Sequence, residues 1–329
     1  MNWDILGHEW AVQLLKGHIQ RDRVRHAYLF CGPMGVGRRT LALRLAQALN
    51  CPQPTAPGEP CRTCRTCTQI ERMQHPDLSI VQAEKQGGVL KVDQIRELGR
   101  GLGLAPYEGR YKVAILLRFE EANDNASNAL LKTLEEPAPK VVLVVTAESA
   151  ESLLPTIVSR CEVMRLRPLQ VDQVSRGLQT NWDLPPDQAQ LLAHISGGRP
   201  GYALTLHRDP DRMKLRGDWL DEHAALLENN CVQRFKTADK LAKKKDILHL
   251  ELSVWLSLWR DVLLQAAGAS IPLVNPDRSE DIKNLASEYD LNTAQDMVSN
   301  IERTMDLIDR NVNPRLALEV LMLDLPGTL

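Results

Sequence analysis

Short continuous runs of apolar residues alternate, in the first half of the chain, with stretches whose apolar residues recur at helical spacing. Five runs predict buried strands, and they lie at residues 27–31, 78–81, 113–117, 141–146 and 161–166. Three intervening stretches predict helices, at residues 41–49, 92–98 and 126–134. Strands that alternate with helices are typical of a parallel sheet covered on both faces. The pattern therefore predicts an α/β fold for this half.

The pattern changes after Pro168, where helical spacing replaces the strand signals. Short helices are predicted at residues 171–178, 186–195 and 201–207, and residues 211–325 are helical almost throughout. Trp255 and Trp259, four residues apart on an apolar helix, are expected to pack in its core or against another subunit. We therefore expect an α/β domain at residues 1–168, a small helical lid domain at 169–208 and an all-α C-terminal domain at 209–329.

Composition argues against several classes of protein. The chain has 329 residues, of which 43% are hydrophobic and 25% charged, values that are ordinary for a globular protein. Its net charge of −2 argues against a protein that wraps duplex DNA alone, and its 4% aromatic residues argue against a base-stacking single-strand binder. No apolar run reaches the roughly 18 residues of a membrane span, and the N-terminus lacks the features of a signal peptide. We therefore expect a cytoplasmic protein without membrane contact.

Four of the seven cysteines crowd into one short segment of the α/β domain. They are Cys51, Cys61, Cys64 and Cys67, with the spacing C-x9-C-x2-C-x2-C. Four thiolates suit tetrahedral Zn²⁺, and the two short intervals let three sulfurs converge on one ion. Because four protein ligands leave no open position for water, such a zinc ion is structural. The alternative is four unligated thiols in a reducing compartment.

A glycine-rich loop follows the first predicted strand and precedes a helix, which is the setting of a phosphate-binding loop. Gly32, Gly35 and Gly37 keep the glycine spacing of such a loop. However, Arg38 occupies the position of the phosphate-binding lysine, and Arg39 occupies that of the serine or threonine that binds Mg²⁺. Arginine offers Mg²⁺ no oxygen ligand. We therefore expect ATP binding at this loop to be weak or absent.

The third predicted strand lacks the acidic residues that ATPases of this kind place at its end. It runs into Leu117 and Arg118, which are apolar and cationic where carboxylates would bind metal and activate water. Glu120 and Glu121 follow shortly, but Phe119 separates them from the strand. The loop and the strand therefore both predict a non-hydrolysing member of an ATPase fold.

Five motifs occur in order along the chain. They are residues 26–33 (HAYLFCGP), the four-cysteine insertion, residues 128–137 (NALLKTLEEP), residues 159–161 (SRC) and residues 311–316 (NVNPRL). Together they resemble the delta-prime subunit family of the bacterial clamp loader of DNA polymerase III, and the resemblance covers the whole chain. It implies an AAA+ module with a zinc module at residues 51–67, a helical lid and a helical collar domain for oligomerisation.

The resemblance also implies partners. A subunit of this type helps to load the ring-shaped sliding clamp onto primer–template DNA during replication. It does so in a complex with gamma/tau ATPase subunits and a delta subunit. The resemblance therefore implies part of a DNA polymerase holoenzyme, without ATPase activity of the chain's own.

Arg160 is the residue to which the resemblance assigns chemistry. In the family, the matching arginine reaches across a subunit interface to the γ-phosphate in a neighbouring site, where a guanidinium stabilises transition-state charge. The alternative is an ordinary surface ion pair. By the same resemblance, Lys132 could contact a DNA phosphate, against the alternative of a solvated helix face. In the lid, Gly201 stands where ATPase subunits of the family carry an arginine, and Arg199 lies two residues early.

Two other functions stay open on the sequence alone. One is an active gamma/tau-type clamp-loader ATPase that uses Arg38 in place of the lysine. The other is a zinc-dependent nucleic-acid-binding module, which the near-neutral charge disfavours. Basal ATP turnover by the isolated chain would distinguish the first from a non-hydrolysing subunit.

Overall fold

The computed structural model describes residues 3–85, 87–310 and 312–327. The chain divides into two units, and the first is Met1–Trp182 with Gly198–Tyr202. The second unit is Asp183–Gly197 with Ala203–Leu329. The three-part division after residues 168 and 208 stays a prediction. Asn311, with which the last family motif begins, lies outside the described residues.

A five-stranded parallel sheet forms the centre of the first unit. Its strands, in chain order, are β1 (Ala27–Cys31), β2 (Leu78–Val81), β3 (Lys112–Leu116), β4 (Val141–Ala147) and β5 (Glu162–Arg165). In space they follow the order β2-β3-β4-β1-β5, and each pair of neighbours is parallel. All five strands fall on the predicted apolar runs, so the predicted α/β class is confirmed.

The first unit also contains helices, several of which pack against the sheet. They are α1 (Glu9–Gln20), α2 (Arg38–Asn50), α3 (Arg65–Glu71), α4 (Val92–Leu102), α5 (Asp124–Glu135), α6 (Pro155–Val158) and α7 (Val171–Trp182). A 3-10 turn, Phe119–Glu121, follows β3. The apolar pattern had predicted neither α1 nor α3, although Ala11, Val12 and Leu15 of α1 are buried.

Both faces of the sheet are buried, as the continuous apolar runs predict. Successive side chains of a strand point to opposite faces. Tyr28 and Phe30 of β1 therefore share one core with Leu41 and Leu45 of α2. Leu29, between them, belongs to the core on the other face, to which α4 and α5 contribute. These two layers fix the positions of the loop after β1 and of the helix α5.

The second unit is helical. Its helices include α8 (Pro186–Ile195), α10 (Pro210–Glu228), α11 (Cys231–Ala242), α12 (Lys245–Ala266), α13 (Ser279–Glu288), α14 (Leu291–Asp309) and α15 (Pro314–Asp324), with a 3-10 turn at Pro276–Arg278; α9 (Pro200–Arg208) begins in the first unit and ends in the second. Trp255 and Trp259 are fully buried in the core around α12, which confirms their predicted packing role. Within the described ranges, no helix combines the length and hydrophobicity that a bilayer span requires.

Arg234 of α11 is buried completely, with its guanidinium group between the C-terminal ends of α10 and α15. It donates hydrogen bonds of 2.8–3.3 Å to five backbone carbonyls, which are those of Leu226, Leu227, Met322, Leu325 and Pro326. The last carbonyls of a helix have no partner within the helix. Arg234 therefore satisfies buried backbone acceptors that water does not reach.

Glu251 of α12 is a carboxyl group without exposure to solvent. Neither of its oxygens has a hydrogen-bond partner among the described residues. Burial raises the pKa of Glu251 to about 7, and the Glu222 carboxylate adds to the rise, whereas Lys244 and Lys240 oppose it. The group is therefore protonated in the folded chain under mildly acidic conditions.

We expect Glu251→Gln to stabilise the helical unit at pH 8 by roughly 2–3 kcal/mol, and by much less at pH 5. The folded pKa lies above the ordinary value of 4.5. The native carboxyl group therefore stabilises the fold at low pH and loses this contribution as the pH rises through 7. Glutamine cannot ionise and avoids that loss. Urea titrations at both pH values, followed by hydrogen exchange in α12, measure the difference; equal effects at both would contradict the assignment.

Candidate functional site

The four clustered cysteines converge, although Cys61 comes from the loop between α2 and α3 and the other three lie at or within these helices. Cys51 directly follows α2, Cys64 caps the N-terminus of α3, and Cys67 lies within α3. The four sulfur atoms lie within 4.8 Å of one another. The Sγ–Sγ distance is 3.5 Å between Cys51 and Cys61 and 4.0 Å between Cys61 and Cys67. Tetrahedral zinc with Zn–S bonds of about 2.3 Å needs sulfurs about 3.8 Å apart, so the donor set fits this metal.

Backbone N–H groups point at the sulfurs. Cys61 N lies 3.4 Å from Cys51 Sγ, Cys64 N lies 3.3 Å from Cys61 Sγ, and Cys67 N lies 3.4 Å from Cys64 Sγ. Burial acts to raise the pKa of Cys61, but hydrogen bonds from the Cys64 and Thr63 backbone outweigh it and lower the pKa to about 6. At Cys61 these donors favour the thiolate form, which is the form that binds metal, whereas burial raises the pKa of Cys64 and of Cys67.

The cysteine segment is attached to the first unit by polar contacts at several points. Trp3 Nε1 donates to the Gly58 carbonyl (2.9 Å), and Gln47 Nε2 of α2 donates to the Cys67 carbonyl (2.8 Å). Ion pairs add to these contacts; they join Lys16 to Glu59, Arg44 to Glu71 and Arg62 to Asp4. The segment has few apolar residues of its own, so ordering of its chain depends on these contacts and on the cysteine cluster.

The glycine-rich loop lies between β1 and α2, and two of its glycines have backbone angles and neighbours that exclude a side chain. Gly32 has φ +148°, and a Cβ there would lie 2.3 Å from the Leu166 carbonyl oxygen. Gly35 has φ +84°, and a Cβ there would lie 2.7 Å from the backbone nitrogen of Tyr202. The Gly35 carbonyl accepts a hydrogen bond from the Gly201 N–H (2.8 Å). The start of α9 therefore packs directly on the apex of this loop.

Arg38, the first residue of α2, is 8% exposed, whereas Arg39 and Thr40 point to solvent. Burial lowers the pKa of Arg38, and the Glu120 and Glu148 carboxylates act in the opposite direction. Its Nη1 has no hydrogen-bond partner among the described residues. Arg38 therefore stays close to the glycine-rich loop, where two acidic groups influence its charge.

Leu117 and Arg118 follow β3, and the Glu120 carboxylate shortly after them interacts electrostatically with Arg38 beside the glycine-rich loop. Leu117 is buried, and Arg118 pairs with Glu121 at 2.8 Å. Arg118 has φ +50°, which turns the chain so that Phe119 enters the core. Burial raises the pKa of Glu120, and Arg38 lowers it. The chain makes a left-handed turn at Arg118 before it reaches Glu120, and no pattern of residue types marks such a turn at arginine.

Three further residues of the first unit have defined surroundings. The Thr146 hydroxyl, at the end of β4, accepts a hydrogen bond from the Arg118 N–H (3.0 Å). Arg199 lies 4.6 Å from the ring centroid of Tyr202, and burial lowers its pKa. Lys132 of α5 is exposed.

Arg160 lies between α6 and β5 and is partly exposed. Its Nη1 donates to the Thr156 carbonyl (2.9 Å), and its Nη2 donates to Glu135 Oε1 of α5 (2.8 Å). Arg38, by contrast, is influenced by Glu120 and Glu148 beside the glycine-rich loop. The two arginines therefore belong to separate sites of the first unit.

Comparison with known proteins identifies the family. The family model described as DNA polymerase III, delta subunit, matches residues 7–170, and its C-terminal counterpart matches residues 210–326. The delta-prime subunit of DNA polymerase III from Bacillus subtilis is 31% identical over 316 residues, which is 95% of this chain and 94% of that protein. The chain belongs to the DNA polymerase III delta-prime family. The family resemblance found in the motifs is thereby confirmed.

Other relatives match shorter parts of the chain. The delta-prime subunit from Pseudomonas aeruginosa is 39% identical over 193 residues, which is 57% of both chains. The tau subunit from Escherichia coli is 34% identical over 208 residues, which is 62% of this chain but 32% of that protein. The match to the Bacillus subtilis delta-prime subunit thus extends along nearly the whole chain, whereas the match to this tau subunit does not.

Proposed function

We propose that this chain is a clamp-loader subunit that lacks ATPase activity of its own and supplies Arg160 to the ATP site of a neighbouring gamma or tau subunit. The observation that carries the proposal is the contrast between its two arginine sites. Arg160 presents a partly exposed guanidinium, whereas Arg38 is buried at a loop without the lysine and the hydroxyl that ATP hydrolysis needs. In the proposed complex, a delta subunit, the sliding clamp and primer–template DNA are the further partners.

The chain's own loop supports the first half of the proposal. Arg39, at the Mg²⁺-binding position, has no oxygen ligand, and Thr40, the hydroxyl-bearing residue that follows it, points to solvent. Leu117 and Arg118 stand where carboxylates would be required, and the start of α9 packs on Gly35. An ATP molecule at this loop would find neither a metal ligand nor a group at the end of β3 to activate water.

We further propose that Cys51, Cys61, Cys64 and Cys67 hold a structural zinc ion. The four sulfurs are at the right spacing, backbone N–H groups favour thiolates, and no fifth ligand is needed. In this role the metal orders the segment between α2 and α3.

The proximity of Glu120 to Arg38 favours one alternative, an active ATPase in which these two residues replace the usual lysine and acid. If this alternative holds, the isolated chain hydrolyses ATP, and Arg38→Ala abolishes that turnover. Under our proposal the isolated chain shows no turnover above background, and Arg38→Ala changes nothing.

We expect Arg160→Ala to lower the ATPase rate of the reconstituted loader at least tenfold, at saturating clamp and primed DNA. A guanidinium supplied in trans accelerates phosphoryl transfer about 10³–10⁵-fold where it has been measured. The expected loss is smaller, because the proposed complex has several ATP sites and Arg160 enters one of them. Arg165→Ala is the matched control, because Arg165 is also an exposed arginine in an ion pair, with Glu151 at 2.8 Å. An unchanged rate with intact assembly would remove Arg160 from the mechanism.

A further inference from the structure

The guanidinium of Arg160 is held between the ends of two helices. Glu135, which accepts from Nη2, is the last residue of α5, and Thr156, whose carbonyl accepts from Nη1, belongs to α6. Ser159 Oγ lies 3.5 Å from Nη1 as well. The Thr156 carbonyl and the Glu135 carboxylate thus both present negative charge to the guanidinium. The position of the guanidinium is therefore set by contacts on one side of the group.

These contacts leave donors available for an anion. An arginine side chain has five N–H donors. The contacts to Glu135, Thr156 and Ser159 involve Nη1 and Nη2 and do not use the Nε–H or the second Nη2–H. The side chain also stays 36% exposed. Arg160 can thus remain anchored and still donate hydrogen bonds to a phosphate outside this chain.

Anchoring matters because a free arginine side chain is costly to immobilise. Ordering a long side chain costs up to about 2 kcal/mol in rotamer entropy. A side chain that is already ordered before its partner arrives avoids most of that cost. The only charged group that orders Arg160 among the described residues is Glu135.

We propose that Glu135 is a positioning residue, which holds the Arg160 guanidinium in the orientation that reaches the neighbouring subunit's phosphate. This inference rests on the proposed function of Arg160. Glu135 itself touches no substrate; it acts through Arg160. The ion pair also joins the end of α5 to the α6–β5 segment, so a displacement of α5 moves the guanidinium with it.

The test uses Glu135→Gln in the reconstituted loader, with Glu136→Gln as its matched control. Glu136 is the next residue, it is also exposed, and among the described residues no ion pair involves it. Both variants lose one negative charge at nearly the same place. We expect Glu135→Gln to lower kcat for ATP hydrolysis about two- to fivefold, the range that corresponds to one exposed ion pair, with KM for ATP unchanged. Glu136→Gln is expected to leave kcat unchanged.

A double variant separates positioning from other effects. If Glu135 acts only through Arg160, Glu135→Gln has no further effect in the Arg160→Ala background. An equal loss in both backgrounds, or equal rates for Glu135→Gln and Glu136→Gln, would overturn the positioning role while leaving Arg160 in place. An unchanged rate for Arg160→Ala alone would instead overturn the proposed function. Size-exclusion chromatography of each variant complex confirms that every rate refers to an assembled loader.

Discussion

Replacement of Arg234 by methionine is expected to lower the free energy of unfolding of the helical unit by about 4–5 kcal/mol. The substitution keeps an unbranched side chain and removes every donor of the guanidinium. Five carbonyls at the ends of α10 and α15 then lose a charged hydrogen-bond donor. A buried polar group left without a partner costs about 1–3 kcal/mol, and partial repair by water limits the sum.

The measurement has to report on the helical unit alone, because a chain of two units need not unfold in a single two-state transition. Hydrogen exchange in α11 and α15 meets this requirement. Arg310→Met is the control, since Arg310 is exposed and, within the described part of the chain, pairs only with Asp306, one turn earlier. A loss of about 0.5 kcal/mol in the free energy of unfolding is expected for this variant. If both variants exchanged alike, the buried hydrogen bonds of Arg234 would contribute nothing to stability.

Replacement of Cys67 by serine is expected to abolish stoichiometric zinc binding and to lower the melting temperature of the first unit by about 10 °C. Serine keeps the size of the side chain but is a poor zinc ligand. Structural zinc contributes about 10–16 kcal/mol of apparent binding energy in small peptides, most of which is spent on ordering the chain. The remainder, a loss of roughly 3–5 kcal/mol in the free energy of unfolding, corresponds to a shift of about 10 °C in the melting temperature of a unit of this length.

Metal analysis of the purified chain and thermal melts with and without a chelator provide the measurements. Cys231→Ser is the matched control, because Cys231 is a free cysteine at the start of α11, outside the cluster. It should retain one zinc ion per chain and the full response to the chelator. A native chain that contains no zinc and melts identically with chelator would contradict the zinc assignment.

The sheet could be predicted from the sequence because the residue types of each strand mark that strand by themselves. The three central strands, β1, β3 and β4, are buried on both faces and appear as continuous apolar runs, and the strand signals alternate with helical spacing. The cysteine cluster was predictable for a similar reason, since short intervals restrict where sulfur atoms can go. By contrast, α1 and α3 are amphipathic segments without a strong start signal, and the residue before α1, His8, has a left-handed backbone and no side-chain cap.

Features that depend on contacts distant in sequence could not be predicted. Arg234 is an ordinary charged residue in its own helix, and its burial depends on carbonyls about 90 residues later. Glu120, which interacts electrostatically with Arg38, follows a left-handed turn at Arg118 that the residue type does not indicate. The Arg160–Glu135 pair joins residues 25 positions apart, and neither residue type indicates the other. Family resemblance identified Arg160 but gave no indication of what holds it.

The helix α2 sets the distance between the glycine-rich loop and Cys51. It begins at the glycine-rich loop and ends at Cys51, and its 13 residues span about 20 Å. Substitutions at the loop end are therefore too distant to disturb the sulfur cluster directly. The same spacing allows a distance to be measured by spectroscopy. Cobalt bound in place of zinc would lie about 20 Å from a label on the loop, a distance at which movement of either end becomes measurable.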